Sequence, residues 1–191
     1  MDVLQAIRAR RAVRAFTEEA VDRAAVEALI EAAVQAPSAM NRQPWTFVAA
    51  LGPAWVGDIA RRAKAHLVAS LEVSPDDVHR ADMLQDPNFD ILYGAPALVV
   101  IYAAPSTAPA ALVRPDEDCC LAAQNLMLAA RAMELGTCWI GFARPWLDLP
   151  ATKAEFGLSA QHVAVAPIVV GHPRRWPAPT GRRAPRIVWR S

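Results

Sequence analysis

Two groups of residues in this chain could do chemistry. The first is the stretch Ala36-Pro37-Ser38-Ala39-Met40-Asn41-Arg42-Gln43-Pro44-Trp45. Its two prolines each fix φ, remove a backbone donor and push the preceding residue toward extended geometry, so the segment is not helical throughout. Between them stand a hydroxyl, Ser38, and two amides, Asn41 and Gln43, groups that both donate and accept hydrogen bonds. A planar heterocycle with alternating donors and acceptors would suit them. The second group is arginine. Arg8, Arg10, Arg11 and Arg14 lie near one end, and Arg174, Arg175, Arg182, Arg183, Arg186 and Arg190 near the other, ten of the 20 basic residues. An arginine fork matches phosphate oxygens bidentately. A phosphomonoester carries nearly two charges and needs more than one cation, so the two ends would make one anion site if they meet.

Other chemistries are disfavoured. Net charge is +1, which argues against nucleic acid as the partner. Cys119, Cys120 and Cys138 have no CxxC spacing and join no Cys/His cluster of metal-ligand type; with no leader pattern at the start, they point to a reducing, cytoplasmic setting. The longest apolar runs, 97–104 and 163–170, fall well short of the ~20 residues a membrane helix needs. Gly136 and Gly141 have P-loop spacing, but no Lys-Ser/Thr pair follows. There is no GxGxxG, so a nicotinamide would be a transient visitor rather than a Rossmann ligand.

An apolar content of 54% over 191 residues supports a single domain with a substantial core. A short helix is expected over 2–11, with Val3, Leu4 and Ile7 on one face and Arg8 and Arg11 beside or opposite. An amphipathic helix over 21–36 leads into the Pro-bracketed stretch, and a strand over 46–51 leaves it. A second helix, 54–71, carries Arg61, Arg62 and Lys64, read as solvated charges. Residues 72–94 form an acidic loop-and-helix excursion that could act as a lid. The β-branched run 97–103 suits a central buried strand. The strongest helix, 116–135, opens with Asp116, Glu117 and Asp118, which complement its dipole. It is apolar nearly all round, so it belongs in the core or at a subunit interface, and Asn125 needs a partner if buried. Gly136 is its expected C′ stop. A short helix follows over 146–156, then a strand over 163–170 in which Pro167 implies an edge or a bulge. Ile187-Val188-Trp189 closes the Pro/Arg-rich tail as a strand-like tripeptide.

In order along the chain, these pieces resemble the nitroreductase family of FMN-dependent oxidoreductases. Arg10-Arg11-Ala12-Val13-Arg14-Ala15-Phe16 is similar to the family's RRSxRxF opening, and 36–45 to its APSxxNxQPW segment. Residues 118–141, through Gln124-Asn125-Leu126 and Gly136-Thr137-Cys138-Trp139-Ile140-Gly141, resemble its central helix and the loop after it. Gly171-His172-Pro173 with Arg183 and Pro185 resembles its ending. The resemblance implies an α+β fold, a mixed central β-sheet flanked by helices. It implies an intertwined homodimer with FMN at the interface and the C-terminal arm, 172–191, packing on the partner subunit. It places Arg10, Arg11, Ala12, Arg14 and Arg183 around the phosphate and neighbouring groups. Pro37, Ser38, Ala39 and Asn41 would come from the partner subunit against the isoalloxazine, and Ile140 and Gly141 would bring backbone near flavin N5. The activity implied is ping-pong hydride transfer from NADH or NADPH through N5 to a small electron acceptor such as a nitroaromatic or quinone, with no protein side chain required as catalyst.

The sequence departs from the family pattern in three places. The serine after the arginine pair is Ala12, which removes one hydroxyl contact to the phosphate, roughly 1 kcal/mol. A lysine often found two residues before the C-terminal arginine is Gly181, with Arg182 beside it as a substitute. No residue matches the usual contact to the pyrimidine edge. Two other readings stand beside the reductase: a flavin-dependent dehydrogenase acting on another small substrate, and a non-enzymatic dimer that binds a polyanion.

Overall fold

The structure is a computed structural model, and it describes residues 1–70, 78–106 and 113–190. Its centre is β2 (Ala97–Ala103), all seven residues of which are buried. It pairs antiparallel with β1 (Trp45–Leu51) on one side and β4 (Val163–Gly171) on the other, and β3 (Gly136–Trp139) completes the order β1-β2-β4-β3. All three ladders are antiparallel. Among the described residues, the parallel component of the expected mixed sheet is a single bridge from Ala12 to Thr137 of β3. Pro167 lies in β4, an interior strand, and of the two expectations the bulge is met: the β2–β4 register shifts between Ile101 and Tyr102, whose partners are Ala166 and Ala164. The Pro167 carbonyl accepts Ile140 N–H at 2.8 Å. Proline has no N–H to return to Ile140, so the β3 ladder stops at Trp139 and the chain turns away there.

Side-chain alternation along β2 divides the core in two. Ala97, Val99, Ile101 and Ala103 face α2 (Arg23–Ala33) and α5 (Pro115–Ala132). Leu98, Val100 and Tyr102 face α3 (Pro53–Ala69), residues 84–95, α6 (Arg144–Leu147) and the start of α7 (Pro150–Glu155). The Tyr102 hydroxyl donates to Leu147 O at 3.2 Å, and burial raises its phenol pKa. The expected helix over 146–156 is two helices, because Pro150 starts a new one after Leu149 in extended geometry.

Helix ends follow from local chemistry. In α1 (Val3–Ala9), Asp2 and Gln5 form a reciprocal capping box. Helix α5 ends in a Schellman turn whose left-handed residue is Glu134 (φ 59°), with Leu135 N–H donating to Ala130 O at 2.8 Å. The stop is therefore two residues earlier than Gly136, which belongs to β3 and is small for a packing reason given below. Asn125 finds its partner in Ala32 O at 3.3 Å, tying α5 to α2.

Helix α1 forms as expected, and its apolar face points outward. It meets α5 through Ala6, while Val3, Leu4 and Ile7 are 65, 58 and 51% exposed. Among the described residues its apolar face has no cover. The excursion over 72–94 contains α4 (Val78–Gln85) and a described stretch to Tyr93, and its beginning, 72–77, lies outside the described residues. Ile187-Val188-Trp189 forms no strand with its own sheet, and Trp189 is 84% exposed. Among the described residues no helix is long and apolar enough to cross a membrane.

Candidate functional site

The N-terminal arginines are delivered by a segment clamped between two neighbours. Arg10 leaves α1 in extended geometry. Val13 N–H then donates to Thr137 O at 2.9 Å, and Thr17 N–H to His172 O at 2.8 Å. Arg174 N–H closes the other side on Ala15 O at 3.0 Å. Two glycines allow this docking. A Cβ at Gly136 would stand 2.7 Å from a Val13 methyl, and one at Gly171 2.7 Å from the Phe16 ring. Close approach, rather than turn geometry, explains both glycines.

Held this way, the two basic ends meet. Arg10, Arg11, Ala12 and Arg14 line a cavity of about 220 Å³ with Pro177, Ala178, Thr180 and Arg182. Its walls hold four guanidinium groups and no carboxylate. Among the described residues, none of the four forms an ion pair. Arg11 donates to Arg8 O and Arg10 O, both at 2.7 Å, while its buried Nε has no partner. Four cations with an orphaned buried donor are an arrangement that an anion completes. Arg183, placed at the phosphate by resemblance, is exposed and lines none of the cavities described here. Arg182, also exposed, lines the cavity, with its guanidinium donating to Thr180 Oγ1 at 2.7 Å.

Arg14 extends the site. It borders a cavity of about 690 Å³ with Arg175 and Trp176, and another of about 430 Å³ with Tyr93, Ile140 and Gly141. Arg131 stacks on Trp176 at 3.9 Å, so that wall is fixed from α5. In the second cavity Ile140 N–H is already spent on Pro167, whereas Gly141, which opens the 3₁₀ turn Gly141–Ala143, has no intrachain acceptor for its N–H among the described bonds. Gly141 therefore offers this cavity a backbone donor. The opposite wall, Tyr93, stands at φ 59° in a turn held by Asp90, whose carboxylate accepts Leu92 and Gly94 N–H, both at 2.8 Å. The Arg14 guanidinium lies 5.9 Å from the Tyr93 ring centroid. Cys138 also lines this cavity. Burial raises its thiol pKa, with Arg14 and Arg10 pulling the other way, so it sits there as a thiol rather than a nucleophile.

Residues 36–45 stand apart. The cavities lined by Arg10 and Arg14 include none of Pro37, Ser38, Ala39 and Asn41. The loop is internally bonded: Ser38 Oγ accepts Gln43 N–H at 2.9 Å, and Gln43 Nε2 donates to Asn41 Oδ1 at 3.0 Å. Met40, Asn41 and Gln43 all have positive φ.

A larger cavity, about 720 Å³, lies between α3 and residues 84–90, far less basic than the arginine site. Lys64 borders it but is occupied, donating to Asp86 O and Phe89 O at 2.5 and 2.7 Å. Arg62, also expected to be solvated, binds Glu155 through two bonds of 2.8 and 2.6 Å. Sequence reasoning gave no signal for Tyr93 or Trp176, which line these cavities, whereas Arg182 was already expected beside Gly181 as a substitute for the family's lysine.

Comparison with known proteins fits this geometry. The family model described as the Nitroreductase family matches residues 7–172. A protein of Methanothermobacter thermautotrophicus with the provisional name NADH dehydrogenase/NAD(P)H nitroreductase is 26% identical, over 93% of this chain and 80% of its own length. Nitroreductase NfnB of Mycolicibacterium smegmatis is 28% identical, over 94% of this chain and 86% of its own. A nitroreductase from Bacteroides fragilis, solved with bound FMN, superposes with a TM-score of 0.84 over 100% of both chains at 24% identity. With its fold shared from end to end and the family pattern running from α1 to the segment that clamps the arginines, this chain belongs to the Nitroreductase family.

Proposed function

We propose that the protein is an FMN-dependent NAD(P)H oxidoreductase acting as a homodimer. The observation that carries this is the convergence of four guanidinium groups, without any carboxylate, on a cavity that Arg14 joins to the Gly141 cavity. A phosphate at one end and a flat polar ring at the other fit that shape and charge. Relatives named as NAD(P)H nitroreductases and structures solved with FMN support the same cofactor pair.

When bound, FMN supplies hydride transfer at N5, from NADH or NADPH to a small electrophile such as a nitroaromatic or quinone in alternation. The chain's own residues hold and orient. Arg10, Arg14 and Arg182 neutralise the phosphate, and Arg11 adds the buried Nε. Ala12 brings close-packed backbone where the family has a hydroxyl. Arg14 reaches from phosphate toward ring, and Gly141 aims its N–H at the N5 region. No side chain is assigned as acid, base or nucleophile.

Two copies are needed to complete this site. Pro37, Ser38, Ala39 and Asn41 lie off the arginine cavities of their own chain, so they would meet the ring from the partner subunit. The apolar face of α1, together with Leu121 of α5 at 47% exposure, is the surface such a dimer would cover. The arm 172–191 would pack on the partner, where Ile187-Val188-Trp189 finds the cover it lacks here. Three free cysteines suit a cytoplasmic setting.

The test is an absorbance spectrum of freshly purified protein, identification of the released chromophore and NAD(P)H oxidation with quinone and nitroaromatic acceptors. Bound FMN and flavin-dependent turnover are expected. A colourless protein that takes up no added FMN would overturn the proposal.

A further inference from the structure

The loop over 38–43 is strained in backbone terms, and its described side-chain hydrogen bonds stay within the loop. Met40 (φ 52°), Asn41 (φ 54°) and Gln43 (φ 49°) are three non-glycine residues in the left-handed region within four positions. Such strain persists only where the surroundings over-determine it, and it collects at functional sites. Most of what fixes the loop is internal: Asn41 N–H to Ser38 O at 3.0 Å, Arg42 N–H to Ala39 O at 3.2 Å, and the Ser38–Gln43 and Gln43–Asn41 bonds above. Internal bonds shape a loop but do not aim it.

Among the described hydrogen bonds, one residue ties 38–43 to the body of the molecule. Ala39 N–H donates to Asp118, 3.2 Å from Oδ1 and 3.3 Å from Oδ2. Asp118 lies in the first turns of α5 and is only 7% exposed, unlike Met40 at 71%. An ionised acceptor makes a stronger bond to a backbone N–H than a neutral one. Helix α5 is in turn held by the core and by Asn125 on α2. With Asn41 Oδ1 occupied, the loop presents Asn41 Nδ2 as donor and Gln43 Oε1 as acceptor, a pair complementary to a cyclic imide edge.

We infer that Asp118 is a positioning residue for the cofactor site: its buried carboxylate aims the strained 38–43 loop, and so the loop's amides, at the flavin ring of the other subunit. This rests on the FMN-dimer proposal above. Asp118 touches neither cofactor nor substrate and acts through Ala39.

The experiment compares the parent, Asp118→Ala and Asp118→Asn as full-length protein at saturating FMN. It measures kcat, the position of the flavin visible band, the flavin reduction potential and Tm. Asp118→Ala should lower kcat about 10- to 100-fold, because small misplacements near the reacting centre cost rates of that order. Its band and potential should shift. Asp118→Asn, whose amide oxygen still accepts, should restore most of the loss. If Asp118→Ala fails to fold, Ala39→Pro removes only the donor. Ser38 is extended (φ −138°, ψ 153°), a conformation that a following proline tolerates. The same losses are expected from it.

Parent-like kcat, band and potential in Asp118→Ala, or in Ala39→Pro where that variant is the one available, would overturn the inference and leave the flavin proposal standing. A lower Tm with unchanged flavin properties would do the same, reducing Asp118 to a structural role. A parent that binds no FMN would overturn both.

Discussion

Two arginine clusters stand on opposite terms with their surroundings. Arg62 is saturated: two bonds to Glu155, a third to Asp58 at 3.3 Å, and the Trp146 ring 4.8 Å from its guanidinium carbon. Arg10, Arg11, Arg14 and Arg182 share a cavity with no carboxylate in its lining. The first cluster joins α3 to α7 and closes the core on that side. The second is held in place by backbone docking and pays like-charge repulsion for its geometry. A cation neutralised within its own chain is part of the fold; cations gathered and left unneutralised await a ligand. On that distinction, substitutions in the first cluster should change stability and spare cofactor binding, and substitutions in the second should do the reverse.

The largest effect is expected at Arg14, which serves both the phosphate cavity and the cavity at Gly141. Arg14→Ala should weaken FMN binding by about 2–4 kcal/mol, roughly 30- to 1000-fold in Kd, with Tm within a few degrees of the parent. Flavin fluorescence titration beside thermal unfolding measures both. A variant that binds FMN as the parent does would remove Arg14 from the site. The comparison sharpens with adjacent residues: Arg182→Ala should weaken binding about tenfold, and Arg183→Ala less, since only Arg182 lines the cavity.

A smaller effect, about 1–3 kcal/mol of stability, is expected from Gly136→Ala, because the new Cβ would lie 2.7–2.9 Å from three Val13 atoms. Val13 is fully buried and cannot swing aside, so relief must come from the arginine segment lifting off β3. Gly136→Ala should therefore lower both Tm and FMN affinity, bridging the two clusters' behaviours. Loss of Tm alone would show that the arginines are held by something other than this docking.

These differences also mark what was legible in the sequence. The central strand, α5 and both basic ends were readable because burial and charge are written in residue type. The docking of Val13 on Gly136 was not, since it depends on two segments more than a hundred residues apart, and a glycine after a helix reads first as a cap. Glu134 could not be foreseen as the left-handed residue, for the same reason. The apolar stripe of α1 was legible but its direction was not, because periodicity shows that a stripe exists but not what covers it. Arg62 and Lys64 looked solvated because their partners, Glu155 and two carbonyls in 86–89, come from distant or irregular segments. Arg182 and Arg183 could not be told apart, because two adjacent residues of one type carry the same signal; Arg182 is the one that lines the cavity.

The smallest expected effect tests the saturated cluster. Arg62→Ala should cost about 1 kcal/mol at neutral pH, the scale of a half-exposed ion pair with ring stacking, and leave FMN affinity unchanged. Its pH dependence separates the two contributions. The hydrogen bond from Arg62 holds the Glu155 carboxyl below its ordinary value in the folded protein. A depressed folded pKa means stability that is present above the ordinary carboxylate range, about 4.3, and lost as pH falls through the folded value. The stability gap between parent and Arg62→Ala, measured by urea unfolding, should thus be widest at pH 6–7 and narrow below about pH 4 as Glu155 takes up a proton. A gap that stays constant across this range would mean that the ion pair adds nothing net and that packing of the guanidinium against Trp146 carries the whole effect. Arg62 would then differ from the cavity arginines in what its flat face touches rather than in having its charge answered.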